Sequence, residues 1–117
     1  MRKIMSVVVI SVLLLVTGCS GGKEVNNLTL DKFIEAYTSQ GIEVDKNEKP
    51  LFEMIKANDG VIFYYDNSPV KIYEFESEKK LDKAKKENDV IKDFVSNGKF
   101  LLETKKQEAV EIFNSVK

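Results

Sequence analysis

The chain has 117 residues, with 18 Lys and Arg against 19 Asp and Glu, seven Phe, four Tyr, one Cys, and neither His nor Trp. The absence of His excludes an imidazole general base, an imidazole metal ligand and a side chain tuned to titrate near neutrality, and a single Cys excludes an internal disulfide and a CxxC site. The length fits one small domain, and a net charge of −1 offers no basic excess for nucleic acid.

The N-terminus is read first as an address. Met1-Arg2-Lys3 is a positively charged start, followed by an apolar run from Ile4 to Val16. As a helix this run spans roughly 20 Å, short of the ~30 Å hydrocarbon core of a bilayer. It therefore reads as the apolar region of a signal peptide and is excluded from the fold. The run ends in Val16-Thr17-Gly18-Cys19, with Ser20 next. In these residues the chain resembles bacterial lipoproteins, whose lipobox carries an aliphatic residue, two small residues and then Cys. Val16 stands where Leu is the commoner choice. The resemblance implies that the Cys19 thiol receives a diacylglyceryl group, that the peptide is cut before it, and that the product is a lipid-anchored, extracytoplasmic protein of the cell membrane, with acyl chains of the palmitate kind in the bilayer. The alternatives are a secretory signal with an incidental Cys and an uncleaved anchor.

Three segments follow from this: residues 1–18 as signal peptide, residues 19–28 as lipidated Cys and flexible tether, and residues 29–117 as one domain. Loss of Arg2 and Lys3 leaves a net charge of −3. A weakly acidic domain gains nothing from an anionic leaflet, so the acyl chains do the anchoring. Ser20-Gly21-Gly22-Lys23-Glu24-Val25-Asn26-Asn27 is polar, without an apolar period, and as a coil holds the domain about 15 Å from the surface.

Within the domain, Leu30, Phe33, Ile34 and Tyr37 fall on one helical face, with Thr29 as N-cap and Gly41 as stop, which predicts a helix over 30–40. Ile42-Glu43-Val44 reads as a short strand or a linker. Pro50 opens a second, shorter helix through Leu51, Phe52, Met54 and Ile55, closed by Asn58-Asp59-Gly60. The β-branched and aromatic run Val61–Tyr65, the turn residues Asp66-Asn67-Ser68-Pro69 and the alternating Val70–Glu76 predict a hairpin. Ser77 caps a charged helix over 78–88, whose only apolar residues are Leu81 and Ala84. A second hairpin is predicted from Val90–Val95 and Lys99–Glu103 around Asn97-Gly98, a type I′ signal. Thr104-Lys105-Lys106-Gln107 reads as a capping box for a last helix with Ala109, Ile112, Phe113 and Val116 on one face.

These elements define an α+β class: a four-stranded antiparallel sheet from two β-hairpins, with the amphipathic helices packed on one face. The order α-β-β, α-β-β, α raises the question of an αββ duplication. A shift of thirty residues matches Leu51/Leu81, Lys56/Lys86, Asn58/Asn88, Asp59/Asp89 and Asn67/Asn97, a number that chance also supplies in a Lys- and Asn-rich chain. Phe33, Tyr37, Phe52, Phe63, Tyr64, Tyr65, Tyr73, Phe75, Phe94, Phe100 and Phe113 are expected to supply most of the core.

Few residues suggest chemistry. Asp59 and Asp66 fall at opposite ends of one strand, about 20 Å apart, too far for a glycosidase pair and better explained by turn preference. Glu74 and Glu76 on one strand face, beside Glu103, suggest a cation site without EF-hand spacing. The Lys79–Lys86 segment offers a patch for an acidic envelope polymer, or a solvated helix face laced by Glu76–Lys80, Asp82–Lys86 and Lys83–Glu87 pairs. No Gly-rich phosphate loop and no cofactor motif is present.

Alternation sends Phe63 and Tyr65 to one sheet face and Tyr64 to the other. If helices cover one face alone, the other exposes aromatic rings, and Tyr64 and Tyr73 become the candidate binding residues. Lys56-Ala57-Asn58-Asp59-Gly60-Val61, Lys71-Ile72-Tyr73-Glu74-Phe75 and Asn97-Gly98-Lys99-Phe100-Leu101-Leu102 resemble small lipoproteins of low-GC Gram-positive bacteria, a resemblance that implies a cell-surface address and no catalytic residues. The expected function is a non-catalytic binding module of the envelope, its partners the lipid bilayer through Cys19 and an envelope protein or polymer. Alternatives are a carboxylate-based enzyme or cation-handling component, and a phage- or element-encoded surface-exclusion factor.

Overall fold

The computed structural model describes residues 28–117. The signal segment 1–18, Cys19 and all of the expected tether except Leu28 lie outside the described residues. Leu28 itself belongs to the domain, half-buried against the core.

Helix α1 (Leu30–Thr38) starts where the Thr29 hydroxyl accepts the Lys32 N–H at 3.2 Å, with Asp31 in its first turn. It ends two residues earlier than predicted, at Thr38, with Ser39 as C-cap, and Gly41 with φ +88° turns the chain away. Ile42-Glu43-Val44 is not a strand. The segment crosses the edge of the sheet, where Ile62 N–H donates to Glu48 C=O at 3.0 Å, while Ile42 and Val44 pack on the core.

The predicted second helix shrinks to a 3₁₀ turn, Phe52–Ile55, ended by Lys56 in the left-handed region at φ +68°. Lys56 stops the helix after a single turn, and the chain enters the first strand at Asp59. Pro50 is spent elsewhere: its ring lies 3.0 Å from where a Gly60 Cβ would stand.

Strands β1 (Asp59–Tyr65) and β2 (Ser68–Glu74) form the first hairpin through a two-residue loop, Asp66-Asn67. Both loop residues have positive φ, +50° and +68°, the requirement of a type I′ turn. Ser68 and Pro69, expected in the turn, lie in β2. Tyr65 and Ser68 close the hairpin as a hydrogen-bonded pair, which aims the Pro69 nitrogen away from β1. The next strand pairs only from Lys71 onward, so the missing N–H costs no ladder bond.

Helix α2 (Glu78–Glu87) is capped by Ser77, whose hydroxyl accepts the Lys80 N–H at 3.1 Å. The strand expected over 90–95 is largely replaced by a turn, and β3 is only Val95–Asn97. Ile91 and Phe94, three residues apart, both serve the same apolar cluster, which a two-residue strand period cannot achieve. Asn88 holds the turn: its side chain accepts the Val90 N–H at 3.0 Å and its carbonyl the Ile91 N–H at 3.2 Å.

The second hairpin, β3 with β4 (Phe100–Glu103), turns on Gly98-Lys99 rather than Asn97-Gly98. Positive φ at Gly98 alone fits a type II′ turn. Asn97 pairs with Phe100 in the ladder, and its side-chain amide donates to the carbonyls of Phe113 and Val116 at 3.1 and 3.0 Å. It thus caps the C-terminus of the last helix, α3 (Gln107–Ser115). That helix starts later than the expected capping box. Thr104 instead accepts the Lys106 N–H in a local turn, and Gln107 falls at the first helical position.

The sheet is antiparallel throughout in the order β1-β2-β4-β3, an α+β fold. Helices α1 and α3 pack on one face, as expected. Phe33 lies between Phe100 and Phe113 with ring centroids at 4.6 and 4.8 Å, and Tyr37 packs on Phe63 at 4.8 Å. Val61, Val70, Ile72, Leu102 and Ala109 complete this core. On the other face lie the 3₁₀ turn, α2 and the 88–94 turn, and a second core joins Tyr73, Leu101, Leu81, Ala84, Ile91 and Phe75.

The two αββ units meet symmetrically at β2 and β4, each with its helical element over this second face. Their turns, Asp66-Asn67 and Gly98-Lys99, stand 32 residues apart, so the identities found at an offset of thirty do not fall on equivalent turn positions.

Candidate binding face of the sheet

Strand alternation and register place Ile62 and Tyr64 of β1, Pro69, Lys71 and Tyr73 of β2, and Leu101 and Glu103 of β4 on the face opposite α1 and α3. Helix α2 covers only the end of this face that holds Tyr73 and Leu101. The face is therefore half closed, and the two tyrosines expected to share it have different fates.

Tyr64 is 58% exposed, opposite Pro69 near the hairpin turn. Tyr73, opposite Gly60 at the far end of the hairpin, is 5% exposed and belongs to the second core. The expectation that Tyr73 offers its ring to a partner does not hold, because α2 occupies that position. The Tyr73 hydroxyl donates to Glu103 Oε1 at 2.8 Å. Burial first, then that hydrogen bond and the Glu103 charge, push the phenol well above its ordinary range, so it remains a neutral donor.

Beside the covered end lies a groove of about 440 Å³. Its floor is Pro69, Lys71 and Glu103, its wall is Val90 and Phe94 of the 88–94 turn, and Thr104 and Lys105 lie at one end. The Lys71 ammonium stands 3.9 Å from Glu103 Oε1, the oxygen already taken by Tyr73. A second, broader depression of about 800 Å³ runs between the 43–48 segment and Ile62 and Tyr64 at the β1 edge. Val90 and Phe94 were not singled out from sequence as site residues, since they sit in a predicted strand. The signal that marks Val90 is its 73% exposure, which requires the fold.

The candidate carboxylates are each held by a lysine. Asp59 accepts from Lys49 Nζ at 2.8 Å and from its own neighbour's N–H, Gly60, at 2.7 Å. Asp66 pairs with Lys106 at 3.2 Å, Glu74 with Lys99 at 3.1 Å and Glu76 with Lys80 at 3.8 Å. Asp59 and Asp66 flank opposite ends of β1, as expected. The cation site imagined from Glu74, Glu76 and Glu103 is not assembled: Glu74 and Glu103 point to opposite faces, and Glu76 lies beyond the strand. Among the described residues no group of three or more His, Cys, Asp or Glu is placed to hold a metal ion.

The lysine-rich helix behaves largely as a solvated face with structural pairings. Lys80 takes Glu76, Lys85 donates to Phe94 C=O at 3.0 Å, and Glu87 pairs with Lys56 at 3.6 Å. Lys106 joins the first hairpin turn to the start of α3, its ammonium 5.5 Å from the Tyr65 ring centroid. The hydrogen bond to Asp66 is the main reason its pKa is raised.

Comparison with protein-family models, with curated proteins and with solved structures finds no match. No described helix is long and apolar enough to cross a membrane.

Proposed function

We propose that this protein is a lipid-anchored, extracytoplasmic binding module of the cell envelope. The observation that carries the reading is the ordered series at the N-terminus: basic start, short apolar run, two small residues and the single Cys, Val16-Thr17-Gly18-Cys19. The anchor is a pair of long acyl chains on Cys19, durable at about 0.8 kcal/mol per buried CH₂. The domain supports a binding rather than a catalytic role, because its candidate carboxylates are engaged by lysines while a sheet face with an exposed tyrosine stays open. The partner class is an envelope protein or polymer met at the open half of that face, with Tyr64 at its rim.

Two measurements test the halves of this reading. Fatty-acid labelling in cells should mark the wild-type protein and leave Cys19→Ala unmarked; equal labelling of both ends the lipoprotein assignment. A photocrosslinker placed beside Tyr64 should capture an envelope partner that Tyr64→Ala, folded by circular dichroism, no longer yields. Recovery of no partner in intact cells ends the binding assignment.

A further inference from the structure

The groove between the sheet and the 88–94 turn has a composition that selects a ligand class. Pro69, Val90 and Phe94 give it an apolar side, and Val90 is left 73% exposed there. Its volume of about 440 Å³ lies toward the low end of the 300–1,000 Å³ range of small-molecule sites. The charges are not balanced as they first look. Glu103 Oε1 receives the Tyr73 hydroxyl at 2.8 Å, and the Lys71 ammonium stays at 3.9 Å from that same oxygen, beyond hydrogen-bond reach. Among the described residues the Lys71 ammonium makes no hydrogen bond beyond this long ion pair, although its side chain is only 33% exposed. Lys105 adds a second positive charge at one end. An ammonium with open hydrogen-bond donors, beside apolar side chains in a part-buried groove, is complementary to an anion carrying an apolar body.

We propose that this groove binds a small organic carboxylate, its ring or alkyl body against Pro69, Val90 and Phe94 and its carboxylate on the Lys71 ammonium. The proposal deepens the reading of this sheet face as a binding surface and rests on it. Three features follow from the geometry. The charge is required, because an uncharged isostere offers the ammonium no ion pair beyond the long one to Glu103. The body is required, because a bare carboxylate gains too little from one charge contact in water. Tyr73 acts at a distance, by donating to Glu103 Oε1, the oxygen nearest the Lys71 ammonium, and so competing with Lys71 for it.

The test is an NMR titration of ¹⁵N-labelled protein, purified from membranes and reconstituted in lipid nanodiscs, with phenylacetate as probe. Expected are saturable shifts confined to the amides of Lys71, Val90, Phe94, Glu103 and Thr104. Phenylacetamide and acetate should bind at least about tenfold more weakly, and Lys71→Gln should lose about tenfold in affinity, the scale of one charge-assisted contact. Val90→Asp, which introduces repulsion at an exposed position and spares the cores, should abolish saturation. Shifts that never saturate, shifts spread over the whole surface, or equal affinity for phenylacetamide overturn the proposal. A partner still crosslinked beside Tyr64 in that event would leave the binding face standing and remove only the ligand class.

Discussion

Asp59 shows how a single carboxylate is held in its charged form on a domain without His. Partial burial pulls its pKa up, yet the hydrogen bonds from Lys49 and Gly60 together with the Lys49 charge outweigh that and hold it below the usual carboxylate range. The unfolded chain, with an ordinary value near ~3.9, then takes up the proton first as pH falls. The contribution to stability is complete above that value and is lost as pH drops through the folded-state value. Asp59→Asn should therefore flatten the acid limb of a plot of urea midpoint against pH, below about pH 4, while leaving its shape near neutrality unchanged. An acid limb identical to wild type would show that Asp59 is not held by these partners.

Tyr37 makes the corresponding point inside the first core. Its hydroxyl donates to Ala109 C=O at 2.7 Å, joining α1 to α3. Tyr37→Phe should cost about 1 kcal/mol in a urea titration, the net worth of one buried hydrogen bond. At this scale the sequence was partly legible. Alternation separated Tyr64 from Phe63 and Tyr65 correctly, because side chains on a strand must alternate. It could not separate Tyr64 from Tyr73, since both lie on the same face and only the placement of α2 decides which is covered.

Among elements, the first helix and first hairpin were readable because their signals are local: Thr29 caps, an apolar face repeats at helical spacing, and Asp66-Asn67 accept positive φ. The second hairpin misled for a tertiary reason. Asn97-Gly98 carries a strong turn signal, but Asn97 is more valuable in the ladder, from where its amide reaches two carbonyls at the end of α3. Asn97→Ala should fray that end, raising amide exchange at residues 113–117 and costing about 1–2 kcal/mol. Equally protected amides there would show that the cap contributes nothing. The predicted strand over 90–95 failed because Val90 and Ile91 have strand-forming side chains while the spacing of Ile91 and Phe94 fits a turn packed on α2.

Gly60 is a further element-scale device. A Cβ there would stand 2.9 Å from the Ile72 carbonyl and 3.0 Å from the Pro50 ring, closing the gap in which the 43–50 segment lies on the sheet edge. Gly60→Ala should destabilise by about 1–3 kcal/mol, the cost of overpacking. A stability within ~0.5 kcal/mol of wild type would contradict that fit.

At the scale of the whole molecule, two apolar clusters sandwich one sheet, and the uneven coverage of its second face leaves both the exposed Tyr64 and the groove over Lys71. The α+β class was legible because the order of helical and strand periods alone defines it. The groove was not, because it exists only between elements distant in the chain. The proposed address rests on residues outside the described domain, and the functional reading depends on it. Mass spectrometry of the N-terminal peptide from membrane-extracted protein tests that claim most directly: the account predicts a chain beginning at Cys19 with a diacylglyceryl thioether, and a chain beginning elsewhere, or a Cys19 with a free thiol, would contradict it.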